Sequence, residues 1–212
     1  MREIYFSFYH VIIFICTFQG FLLAYIFLFN KKFRKKSSIA LSIGLVALSI
    51  AGLWEIIQDL ELNKQYTLLG YLPISNLSLG AISLYYFVAF LLNRTYKFSK
   101  KDYLFIAPFV FIFLVKLIFY SIDLAHPSFL AKHQYIDNFF NILTNYLPIF
   151  YMVWVIQSLL KKINHYHEQL FNNFSETEGK DLYWLKNLLY FLIVFTISWF
   201  LVTSIHNYPK KG

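Results

Sequence analysis

The histidines are the side chains best suited to hold a metal or carry a proton, and their spacing does not favour either role. His10, His126, His133 and His206 are scattered across the chain, while His165 and His167 stand two apart and diverge on a helix. No phosphate-binding loop, nucleophile elbow, zinc-protease helix or dinucleotide glycine fingerprint occurs. The remaining chemistry lies inside apolar blocks. Lys116 sits within Phe105–Ile122, where a central ammonium costs on the order of 3 kcal/mol on insertion scales. Either its long stem snorkels to the nearer interface or it pairs with a carboxylate, for which Glu55 is the candidate. A second polar set comprises Ser75, Asn76, Ser78 and Ser83, then Asn138, Asn141 and Asn145. The last three share one helix face by their spacing. Such a face supplies interhelical hydrogen bonds or lines a ligand cavity, so Glu55, Lys116, Asn76, Asn141 and Asn145 form the candidate intramembrane polar face. No catalytic, cofactor or metal constellation is expected, and the chain does not read as an enzyme.

The elements that position these residues follow from composition. The 212 residues are 58% hydrophobic and 22% aromatic, with only 14% charged and a mean hydropathy of +0.54. A water-facing surface of ordinary size cannot be built from so few charges. The fold class expected is all-α, a polytopic integral membrane bundle of about six helices. The spans predicted are 6–29, 37–57, 67–92, 103–122, 136–160 and 187–205, with a polar connector over 161–186. Backbone groups in lipid must pair within their own segment, which favours helices, and the blocks lack the alternating polarity of a barrel. A cleaved leader is disfavoured, because the first block stops at the basic run Lys31–Lys36 without a small-residue cleavage site.

The net charge of +8 is a topology signal here. With the N-terminus outside, thirteen Lys and Arg fall inside, five outside and one, Lys116, within a span. Both ends are therefore expected outside. The single Cys16 allows no disulfide framework. Pro73, Pro108 and Pro148 predict bends, and Gly20, Gly44, Gly52 and Gly80 permit close helix approach.

The connector has its own local pattern. Ser175 followed by Glu178 fits a capping box, so a helix is predicted to start at Ser175, pass Leu182, Trp184 and Leu185, and continue into the last span. Lys161–Leu170 reads as an extension of the fifth helix. The connector is either an ordinary loop or a stalk that relays motion, with Ser175, Glu178 and Trp184 as its marked residues.

Three stretches carry a family resemblance. They are Gln19-Gly20 before the basic loop Lys31–Lys36; Gly80–Tyr86 followed by Phe98–Asp102 and Ala107-Pro108-Phe109; and Phe174-Ser175 with Leu182–Leu185. Together they resemble the membrane-embedded N-terminal domain of Bacteroidetes-type AraC-family transcriptional regulators and related histidine kinases, although Ala81 stands where the family has proline. The resemblance implies a seven-helix sensor module in the bacterial inner membrane, multi-pass, with a seventh helix and a cytoplasmic output domain beyond residue 212. It also implies no direct nucleic-acid binding by this segment. The partners expected are membrane lipids, a small-molecule or peptide signal and a second copy in a homodimer. The competing expectation is a small membrane transporter or carrier, which would show midplane charges and an internal repeat.

Overall fold

The computed structural model describes residues 8–60, 77–93, 95–126, 133–173 and 182–206. Within them every regular element is an α-helix: α1 (Phe8–Phe29), α2 (Lys36–Asp59), α3 (Leu77–Leu92), α4 (Lys100–Ala125), α5 (Gln134–Asn173) and α6 (Tyr183–His206). The helices α1, α2, α4 and α5 are long and apolar enough to cross a membrane, while α3 and α6 contribute shorter apolar stretches. The fold is that of an all-helical membrane protein.

The helices run up and down. Lys36 at the start of α2 stands over the ring of Phe90 near the end of α3, so those two are antiparallel. Phe119 of α4 stacks on Phe140 of α5, and Tyr146 of α5 meets Phe200 of α6, giving the same alternation. Consequently the start of α2, the α3–α4 turn and the Lys161-Lys162 step of α5 gather at one end of the bundle, here termed the basic end.

Packing is strongest along the row α1–α2–α3–α5–α6. The helix α2 carries two buried stripes with a period of seven: Ser42, Ser49 and Ile56 on one side, Ala40, Ala47 and Trp54 on the other. Positions two apart on a helix point nearly opposite ways, so α2 can pack between two partners at once. One stripe faces α1, where Gly20 lies so close to Ser49 that a Cβ would stand 2.2 Å from its Oγ. The other faces α3, where a Cβ on Gly44 would come within 2.9 Å of Ser83 Cβ. In lipid no hydrophobic drive separates buried from exposed leucines, so small residues that let backbones approach supply the adhesion. That is why the expected glycine contacts form without a GxxxG repeat. Ser83 completes its own bonding by donating to the Leu79 carbonyl, 2.8 Å away.

The densest core forms towards the basic end. Tyr85 and Val88 of α3 meet Val155, Ile156, Leu159 and Ile163 of α5, with Leu185 and Leu189 of α6 closing the far side. By contrast, α4 fully buries only Asp102, Phe105 and Ile112 among its described side chains, with Ile106 and Phe109 packed partly buried against the core. Pro108 and Pro148 lie inside α4 and α5, as expected; Pro73 lies outside the described residues.

One helix extent agrees with expectation and one boundary differs. α5 is continuous for 40 residues, about 60 Å at 1.5 Å per residue, twice the roughly 30 Å of a hydrocarbon core. It absorbs the predicted extension Lys161–Leu170 without a break. α6 begins only at Tyr183, with Leu182 ahead of it. The Leu182 carbonyl accepts the amides of Leu185 and Lys186, at 3.0 and 3.1 Å, so Leu182 caps the helix and is not part of it.

Candidate functional site: a buried carboxylate at the basic end

The site begins with a cap. Ser99 is extended (φ −115°, ψ 166°), and three residues on Asp102 turns its carboxylate back to it in a capping-box arrangement. Asp102 Oδ2 accepts the Ser99 amide at 2.5 Å. A carboxylate in the first turn also complements the positive end of the helix dipole. What sets this cap apart is burial, since Asp102 is 1% exposed. A buried charge must be hydrogen-bonded or paired, and the surrounding elements meet that need.

The turn before α4 contributes Tyr96, whose hydroxyl donates to Asp102 Oδ1 at 2.5 Å. Burial first, and then this bond, pushes the Tyr96 hydroxyl above the ordinary tyrosine range. From α3, the Tyr85 hydroxyl donates to the same oxygen at 3.5 Å, the outer limit of a hydrogen bond. From α5, Lys162 Nζ donates to the Tyr85 hydroxyl at 2.6 Å. The lysine charge thus reaches the carboxylate through a tyrosine. The same ammonium lies 4.1 Å from the Tyr85 ring centroid and 5.7 Å from that of Tyr96, within the range where a ring quadrupole attracts a cation.

An aromatic column supports the network from below. The Tyr85 ring stacks on Phe105 at 4.0 Å, and Phe105 stacks on Trp154 at 4.6 Å. The Tyr151 hydroxyl of α5 donates to the Phe105 carbonyl of α4. Three helices are therefore joined at one level by one carboxylate, one ammonium and a ladder of rings. α4 is tied to α3 and α5 by polar contacts at this level.

A second polar contact lies further along α5. His167, 6% exposed, accepts the Leu182 amide on Nε2 at 3.1 Å. It thereby satisfies a donor of the α6 N-terminus that the helix itself leaves open. Its ring lies 4.8 Å from that of Tyr183. The extended part of α5 and the start of α6 are joined by this side chain.

The predicted site residues are distributed otherwise. Glu55 and Lys116 are both half-buried, on α2 and α4, towards the end opposite the basic one. Asn141 and Asn145 occupy α5 by backbone, as does Asn138, but their side chains lie outside the described residues, as does Asn76 altogether. Ser175 and Glu178 also lie outside the described residues. Trp184 is 55% exposed, and it is the neighbouring Leu185 that enters the core. Among the described residues no group of three His, Cys, Asp or Glu is placed to hold a metal ion.

Sequence reasoning missed Tyr85, Tyr96, Asp102, Lys162 and His167 as a site. One signal was available: Ser99-x-x-Asp102 has the spacing of the capping box recognised at Ser175-x-x-Glu178. Nothing local connects Asp102 with Lys162, sixty positions away in the sequence. No family model matches the chain, and searches of curated proteins and of solved structures return no match.

Proposed function

We propose that the chain is the transmembrane sensory module of a bacterial transcriptional regulator or histidine kinase, relaying a signal by helix rearrangement to a cytoplasmic output domain. In this reading the protein is a multi-pass protein of the inner membrane with six spans, its N-terminus outside and its basic end in the cytoplasm. The observation that carries it is the Asp102–Tyr85–Lys162 junction, which ties the lightly packed α4 to α5, the longest of the described helices. A ligand or lipid that favours one packing of α4 would move α5 at the junction and α6 through His167. A bias of a few kcal/mol between two such packings suffices to switch their populations. The resemblance supports the same reading, since its second stretch, Gly80–Tyr86 with Phe98–Asp102, contains Tyr85 and Asp102, and its third contains Leu182, whose amide His167 accepts; the first, Gln19-Gly20 before Lys31–Lys36, contains no junction residue.

The test is genetic. Transcript profiles of a strain lacking the gene and of an Asp102→Asn strain should both differ from wild type, with the variant present in the membrane at normal level. Profiles identical to wild type in both strains would refute the sensory reading. Reporter fusions within 161–173 should report the cytoplasm; an external location would overturn the topology.

A further inference from the structure

The junction contains the parts of an ammonium receptor: two tyrosine rings, a hydroxyl acceptor and a buried counter-charge. The ring centroids lie 4.1 and 5.7 Å from the cation. The hydroxyl acceptor is Tyr85 at 2.6 Å, and behind it lies Asp102, 1% exposed. Three of these groups come from α3, the turn after it and α4, whereas the cation comes from α5. The receptor and its occupant therefore belong to different elements. Lys162 is itself only half-buried, so its stem marks a path from the surface to the cage. Its neighbour Lys161 is exposed.

We propose that the Tyr85–Tyr96–Asp102 cage is a binding site for primary ammonium groups, with Lys162 as a displaceable internal occupant. The ligand class is a short alkylammonium, carried either by a soluble amine or by the ethanolamine headgroup of a lipid. A primary ammonium fits because the occupant both faces the rings and donates to the Tyr85 hydroxyl; a quaternary ammonium offers the first interaction only. Entry of the ligand releases Lys162 and unties α5 from α3 and α4. This inference rests on the sensory reading only for the consequence of that release; the binding itself is independent of it.

The decisive experiment uses the whole chain in lipid nanodiscs and follows amine-reagent labelling of Lys162 by peptide mass spectrometry as a ratio to the exposed Lys161, since added amine and phosphatidylethanolamine consume the same reagent for both lysines. In phosphatidylglycerol discs, n-butylammonium should raise the labelling of Lys162, and tetramethylammonium at equal ionic strength should not. Discs containing phosphatidylethanolamine should raise it without added amine if the lipid is the source. A parallel arm measures thermal stability of Lys162→Ala and Lys162→Arg. Butylammonium should stabilise the alanine variant at concentrations about tenfold below those that displace Lys162 in the native chain, because a tethered lysine competes at millimolar effective concentration. The arginine variant, its cage still filled, should not respond at those concentrations. Labelling of Lys162 unchanged by both butylammonium and phosphatidylethanolamine overturns the proposal, even if the alanine variant is rescued, since the cage would then be structural only. That failure leaves the transcript effect of Asp102→Asn untouched, so the two readings fail separately.

Discussion

Replacing Asp102 by asparagine tests the central junction most directly. The side chain keeps its size and one acceptor oxygen, and loses its charge and the second acceptor. In the folded protein that carboxylate receives the Ser99 amide and the Tyr96 hydroxyl at 2.5 Å each, and the Tyr85 hydroxyl at 3.5 Å. With its remaining oxygen towards the two tyrosines, the new amide nitrogen faces the Ser99 N–H, donor against donor. With the amide flipped, Tyr96 loses its acceptor instead. One short charge-assisted bond is lost either way, worth about 1.5–3 kcal/mol. The Lys162 ammonium also loses its buried counter-charge. Because Asp102 is 1% exposed, solvent screening does not reduce this figure much. For a chain of this size the loss corresponds to roughly 2–4 °C of melting temperature per kcal/mol. A double-mutant cycle with Lys162→Met should return a coupling of at least about 0.5 kcal/mol, as expected for residues in one network. The assay is reversible unfolding in mixed micelles, with helicity as the readout. An Asp102→Asn variant within about 0.5 kcal/mol of wild type, additive with Lys162→Met, would refute the argument that this junction holds α4.

Other outcomes follow from the same geometry. Gly44→Ala should cost about 1–3 kcal/mol by overpacking, because the new methyl meets Ser83 Cβ at 2.9 Å and that atom cannot rotate away; Ser83→Gly in the same chain should restore most of the loss, as read by unfolding in micelles. His167→Phe removes the acceptor of the Leu182 amide, so hydrogen exchange at Leu182 should accelerate by up to about tenfold, matching a bond of roughly 0.5–1.5 kcal/mol, while exchange in the middle of α3 stays unchanged. The Tyr96 hydroxyl is raised above its ordinary value of 10.0, so its bond contributes stability fully present below about pH 10 and lost as pH rises towards the folded-state value. An ultraviolet titration should show tyrosines that ionise normally in the denatured protein and resist ionisation in the folded protein; Tyr96→Phe should lower that resistant signal by one tyrosine.

Residue types alone decide a good deal about this protein. Long apolar blocks such as Phe8–Phe29 have no choice in lipid but to close their own hydrogen bonds as helices, so the helical class and the basic punctuation at Lys31–Lys36 and Lys161-Lys162 were legible along the chain. The glycines were legible too, as places where helices could approach closely. Their partners were not: Gly20 beside Ser49 and Gly44 beside Ser83 depend on which helices become neighbours. The helix α6 could be read from its apolar run, yet its start at Tyr183 is fixed by a histidine from another helix, which no local pattern contains. The site shows the same division most clearly. Lys162 looks like one more topology charge and Asp102 like an ordinary first-turn acid, because spacing records only what a residue does for its own helix. Tertiary packing buries the carboxylate, brings Tyr85, Tyr96 and Lys162 around it, and makes a cap into a junction of three helices. Burial is the physical reason. In water these charges would be screened and nearly indifferent to each other, whereas in the low-dielectric interior each must find its partner.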